Sequence, residues 1–150
     1  KILKKFIKEN NKKVNIKKNE IIKDVPNIKN KSYKVNNFQT TFFNGAKKKR
    51  NNLLQTSSNP WEYSIECKIN PPVKDSKYKW MEIIVYLVQG TISLGLYKKN
   101  KLYQETVIKH NKKNTKMLFK ITDDKRDIMF RNADFHKHSV FKINKVRLIA

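Results

Sequence analysis

The run from Trp61 to Ile69 constrains the fold of this chain more than any other stretch. Trp61, Tyr63, Ile65, Cys67 and Ile69 fall in one phase, and Glu62, Ser64, Glu66 and Lys68 in the other. Successive side chains of an extended strand point to opposite faces, so this pattern predicts a strand with one buried and one solvated face. By that phase Trp61 and Tyr63 are expected to fill the interior. Asn70, Pro71 and Pro72 end the run, because proline has no N–H to give to a ladder.

The same logic extends in both directions. Phe38, Thr40 and Phe42 share a face at period two ahead of a turn at Asn44 and Gly45, and a short strand is expected near residues 52–56. The segment from Trp80 to Gln89 is apolar on both faces, as in a strand covered on each side. Gly90 then permits a tight reversal into Thr91 to Tyr97, which predicts a central hairpin. Further strands are expected over 102–108, 116–121, 127–131 and 139–149, separated by lysine- and asparagine-rich turns. In the last of them Phe141 and Ile143 are in one phase and Val146 and Leu148 in the other, so an extra residue near Asn144 or Lys145 predicts a β-bulge.

Short strands about ten residues apart with no amphipathic helix between them argue for an all-β fold, an antiparallel β-sandwich, and among such folds a jelly roll. The sandwich is expected over residues 38–150, with residues 1–37 as a basic extension or linker. Within the extension, Ile2, Leu3, Phe6 and Ile7 have helical spacing, while residues 11–37 read as a linker with one or two short strands or a turn of helix. The chain begins at Lys1 rather than at a methionine, which suggests a piece of a longer protein. Nothing approaches the roughly 18 consecutive apolar residues of a membrane-spanning helix. The single cysteine, Cys67, sits in the strand-like run as a small apolar residue, in keeping with a reducing, cytoplasmic setting.

Composition matters chiefly through charge. Lys and Arg number 35 against 12 Asp and Glu, a net charge of +23, which is the electrostatic footprint of a polyanion binder. Yet only Arg50, Arg126, Arg131 and Arg147 are arginines, the residue suited to bidentate recognition of phosphate and guanine. The abundance of lysine, asparagine and isoleucine also matches the codon bias of an AT-rich genome. A solvated lysine coat therefore explains most of the charge, including the run from Lys47 to Arg50, which reads as an exposed loop.

Catalytic and metal-binding patterns are scarce. His136 and His138 lack further ligands for zinc. Asp123, Asp124 and Asp127 are interrupted by Lys125 and Arg126, whose charge opposes calcium. Three glycines leave little material for a phosphate-cradling loop, and Glu62, Glu66, Glu82 and Glu105 are placed as solvated strand residues rather than as a facing acid pair. The expectation is a non-enzymatic segment without metal or cofactor.

Several weaker signals recur in order: Trp61-Glu62-Tyr63; a long apolar strand ending in Gly90, with Ile92, Leu94, Gly95 and Leu96 after it; Tyr103 to Val107; Met129-Phe130-Arg131-Asn132; and a final strand over 139–148. Together they resemble the jelly-roll accessory domains appended to bacterial and viral glycosyltransferases and sugar-pathway methyltransferases. The resemblance covers roughly residues 38–149 and departs from the pattern at residues 133–137, where a glycine is usual. It implies a carbohydrate-binding-like module without chemistry of its own, an upstream transferase domain as partner, and no diagnostic ligand residue.

Sugars are held by aromatic faces and by amides, carboxylates and guanidinium groups that match their hydroxyls. The ligand-binding candidates are therefore Tyr97 and Tyr103, which flank a lysine turn, with Trp80 and Tyr86, and with Gln89, Gln104, Arg131 and Asn132 as polar partners; Tyr78 is a further aromatic. Two alternatives compete with the glycan reading. One is a nucleic-acid or polyanion binder that tracks phosphates with lysine and stacks bases on aromatics; the other is a structural or oligomerisation jelly roll. A clustering of most lysines on one sheet face would favour the first, and a concave face with two exposed aromatics would favour sugar.

Overall fold

A computed structural model describes residues 32–122 and 126–150. The amphipathic segment near the N-terminus, and Asp123 and Asp124, lie outside the described residues. Among the described residues there are eleven strands: β1 (Ser32–Lys34), β2 (Phe38–Phe42), β3 (Lys47–Lys48), β4 (Leu54–Gln55), β5 (Tyr63–Ile69), β6 (Trp80–Gln89), β7 (Thr91–Lys98), β8 (Lys101–Lys109), β9 (Asn114–Lys120), β10 (Asp127–Asn132) and β11 (Val140–Ile149). Apart from one 3₁₀ turn at Arg50–Asn52, no helix occurs among the described residues.

The strands form two antiparallel sheets. One has the order β3-β4-β11-β6-β9 with β1 also paired to β11, and the other has the order β2-β5-β10-β7-β8. Strands β4 to β11 thus alternate between layers as 4-11-6-9 and 5-10-7-8, the double Greek key of a jelly roll. The first strand among the described residues, β1, pairs with the C-terminal part of β11, and Val35 is buried in the core beside it. The basic run expected as a loop is exposed, with Lys47 and Lys48 forming the edge strand β3.

The core is filled at period two. Ile65, Cys67 and Ile69 from β5, Ile92, Leu94 and Leu96 from β7, and Ile128 and Phe130 from β10 face Met81, Ile83, Val85 and Leu87 from β6 and Phe141, Val146 and Leu148 from β11. The rings of Phe130 and Phe141 meet across the layers at 4.6 Å between centroids. Burial of each such large side chain is worth about 1.5–3 kcal/mol, which makes this layer of contacts the main source of stability. Cys67 is inert here, since burial pushes its thiol up to about 12 against a lesser pull from the Thr40 hydrogen bond. The extra residue expected in the last strand is Asn144, skipped between the pairs Ile143–Val85 and Lys145–Ile84.

The hairpin expected at Gly90 is not formed. β6 and β7 lie in different sheets, so Gly90 is a corner where the chain crosses from one layer to the other. Both strands carry a fully buried phase, and each reaches the core only from its own layer. The corner is closed by Ser139, whose hydroxyl accepts from the Thr91 N–H at 3.0 Å and donates to the Thr91 carbonyl at 2.8 Å. Gly90 has φ +85°, and a Cβ there would stand 2.9 Å from Ser139 Cα, so both backbone sign and space exclude a side chain. A hairpin within one sheet does join β7 and β8, where Lys99 and Asn100 both have positive φ, as a two-residue type I′ turn requires.

Candidate functional site

The outer face of the five-stranded sheet carries the residues left over from the core. Along β10, Ile128 and Phe130 point inward, so Asp127, Met129 and Arg131 point outward. Along β7 the outward set is Thr91, Ser93, Gly95 and Tyr97. Tyr63 joins them because β5 bulges at Ser64: Phe130 pairs with Ile65 but Arg131 pairs with Tyr63. The skipped residue reverses the phase of the strand. Tyr63 is therefore turned out of the interior, and Trp61, just ahead of β5 with φ +65°, remains 43% exposed. The expectation that these two rings fill the sandwich is corrected here, and the cause is the bulge.

Arg131 organises the cluster. Its Nε and Nη2 donate to the two carboxylate oxygens of Glu105 at 2.8 and 2.6 Å, and its Nη1 donates to the Trp61 carbonyl at 3.0 Å. The guanidinium carbon lies 5.6 Å from the Trp61 ring and 5.5 Å from the Tyr63 ring, within cation–π range. Tyr63 in turn meets Tyr97 edge to face at 5.3 Å, and the two hydroxyls donate to the backbone carbonyl and side-chain oxygen of Asn100, at 3.0 and 2.9 Å. Ser93 donates to Glu105 at 2.5 Å. Partial burial opposes ionisation of Glu105, but the hydrogen bonds from Arg131 and Ser93 and the Arg131 charge outweigh it and hold the carboxyl below its ordinary value. Desolvation, aided by Tyr63 and Glu66, raises Tyr97, so its hydroxyl stays a donor at neutral pH.

Three rings are thus fixed around one bidentate ion pair on a sheet surface. Rings so held offer apolar faces, while the guanidinium and carboxylate edges offer donors and acceptors. Glu105 is committed to Arg131, and the cluster contains no second carboxylate facing it. At the far end of the same face a depression of about 320 Å³ is lined in part by Gln39, Lys68, Asn70, Lys74, Arg126 and Asp127. The step from Arg131 to Asp127 is four strand residues, about 13 Å.

The candidates named from sequence separate into three groups. Tyr97 and Arg131 lie in the cluster, where they are joined by Trp61, Tyr63, Glu105 and Ser93. Trp80 and Tyr86 point outward from β6, on the opposite face of the molecule. The remaining four are built into the fold. Tyr103 pairs with Leu96 and packs against the core. Gln104, with φ +56°, sits at the β8 irregularity and imitates a strand: its amide donates to the Lys120 carbonyl at 2.6 Å and accepts from the Lys120 N–H at 2.8 Å. Gln89 donates to the His138 carbonyl at 3.0 Å. Asn132 is fully buried, and its amide faces the carbonyls of Ser58, Asp134 and Lys137. That amide organises the loop over residues 133–138, which has no glycine. Tyr78 packs near Tyr33, with Lys77 above its ring. Among the described residues no group of three or more potential metal ligands is present.

Comparison with known proteins places the fold. No protein-family model matches the chain, and no curated protein does. Among solved structures, the xylan-binding module CBM86 from Roseburia intestinalis superimposes with a TM-score of 0.56 over 80% of this chain and 95% of its own length, at 10% identity. The likeness is one of fold. The ligand-free CBM1 of BiXyn10A is also similar, at a TM-score of 0.46 and 15% identity over 77% of this chain and 95% of that one.

Proposed function

We propose that this chain is a carbohydrate-binding domain that holds a neutral glycan on the outer face of the five-stranded sheet. The observation that carries this reading is the Trp61–Tyr63–Tyr97 arrangement around the Arg131–Glu105 pair. The Trp61 indole supplies an exposed ring for the C–H face of a sugar, and the ion pair supplies oriented donors and acceptors at its rim. The fold shared with a xylan-binding module supports the reading. In a longer protein the domain would act as an accessory that keeps a polymer close to a glycan-modifying unit such as a transferase. No catalytic role is assigned to it.

The test is a glycan array in moderate salt followed by titration calorimetry on any hit. Selective neutral hits that weaken at least tenfold in Trp61→Ala are expected. Hits that survive in Trp61→Ala and Arg131→Ala, with both variants folded, would move the ligand elsewhere.

A further inference from the structure

The outer face of the six-stranded sheet is built differently. Its central strand β6 buries Met81, Ile83, Val85 and Leu87, so Trp80, Glu82, Ile84, Tyr86 and Val88 form an outward midline. Most of the residues paired to that midline are basic, the exceptions being Leu118 and Asn114 on β9 and the buried Ile149 on β11. Lys116 and Lys145 both pair with Ile84, Lys120 with Trp80, Lys142 with Tyr86, and Arg147 with Glu82; Lys34 continues the row beyond Arg147. Residues directly opposite on antiparallel strands share a face. Five cations therefore flank one acid in two rails, Lys116 and Lys120 on β9 and Lys142, Lys145 and Arg147 on β11, about 10 Å apart across β6, and Lys34 on β1 is a sixth beyond them.

The single acid is already neutralised. Glu82 is fully buried, with Arg147 at 2.7 Å and Lys116 at 3.6 Å. No acid partner holds Lys34, Lys120, Lys142 or Lys145 among the described residues. Asn114 and Asn144 meet across the midline at 2.6 Å and add amides to the surface. The preceding residues 1–31 carry eleven lysines and three acids, charge of the same sign, which disfavours that segment as the cover of this face.

We infer that the outer face of the six-stranded sheet is a second binding surface, for an acidic polysaccharide bearing carboxylates. Charge complementarity selects a polyanion, and the two rails select its kind. In a ribbon-like polyuronate successive rings are flipped, so carboxylates emerge alternately from both edges while ring faces and hydroxyls lie between. Lysines on both sides of an apolar and amide midline match that distribution. A single nucleic-acid strand carries phosphates on one edge and needs exposed rings for its bases, whereas Trp80 and Tyr86 are half-buried. A duplex is read by an element that enters a groove, which a flat sheet face does not do. The scarcity of arginine fits carboxylates spread along a polymer better than bidentate phosphate contacts.

The experiment measures binding of polygalacturonate, oligo(dT) and neutral xylan at 50 and 200 mM NaCl. It uses the native chain, Lys120→Ser/Lys145→Ser with one substitution in each rail, and Lys101→Ser/Lys109→Ser as an equal-charge control. Polygalacturonate is expected to bind more tightly than oligo(dT), to weaken at least tenfold in the rail variant and less than twofold in the control, and to be unaffected by Trp61→Ala. Equal losses in both lysine variants would mean that net charge alone is responsible, and would overturn the inference. So would tighter binding of oligo(dT), loss of polygalacturonate in Trp61→Ala, or no polygalacturonate binding at all. The xylan arm reports on the aromatic face, so failure of one site is separable from failure of the other.

Discussion

The two outer faces of this sandwich share a core and differ in almost everything else. On the five-stranded sheet the outward strand positions include Glu66, Glu105 and Asp127 against Lys68, Lys109 and Arg131, a balanced set in which one ion pair props three aromatic rings. On the six-stranded sheet Lys34, Lys116, Lys120, Lys142, Lys145 and Arg147 stand against Glu82 alone. A net charge of +23 therefore says little about any one surface. Long-range attraction is concentrated on one side, and short-range directional groups on the other.

The sharpest check on that contrast is a change that should not distinguish the faces. Phe130→Ala removes a ring packed on Phe141 at the centre of both sheets and is expected to cost about 3–5 kcal/mol, lowering thermal stability and weakening both ligands together. A selective loss at one face would show that the layers are less coupled than their common core implies. Gly90→Ala comes next, at about 1–3 kcal/mol, because it combines a strained positive φ with the close approach to Ser139. Chemical denaturation measures both.

Smaller effects should separate the faces. Arg131→Ala is expected to weaken neutral-glycan binding about tenfold, with little effect on polygalacturonate, as read by calorimetry on both ligands. Glu105→Gln should cost about 1 kcal/mol or less, since its pair with Arg131 is partly exposed. Its pH signature is more telling. A carboxyl held below its ordinary value stabilises the folded state at neutral pH, and that contribution disappears as pH falls through the folded value. The native protein should therefore lose more of its thermal midpoint between neutral and acidic pH than Glu105→Gln does. Parallel pH profiles would show that the ion pair does not organise the cluster.

Much of the architecture was legible in residue order. Alternation gave the strands from β5 onward, the opposed phases of Phe141 and Leu148 gave the bulge at Asn144, and the absence of amphipathic helices gave the layered class. The candidate site was legible only in part. Tyr97 is a candidate because it flanks the lysine turn and Arg131 because its guanidinium suits sugar hydroxyls, but the same turn argument also selects Tyr103, which packs against the core. Trp61 and Tyr63 lie on the side opposite to the one their phase predicts, because the run from 61 to 69 looks continuous and nothing in its letters marks Ser64 as the skipped residue. Gln104 and Asn132 looked like ligand groups, but their amides are occupied by backbone partners distant in sequence.

Local pattern alone determined which segments extend and which side chains must leave water, because the period of a strand and the transfer free energy of apolar groups are properties of neighbouring residues. Only the tertiary structure decided that Gly90 is a corner between sheets, that Trp61 and Tyr63 face outward with Arg131, and that the lysines of β9 and β11 align beside β6. Those outcomes depend on which strands pair and in what register. Pairing is set by burying every strand's apolar phase in one shared core, a condition on the whole chain that no single segment carries.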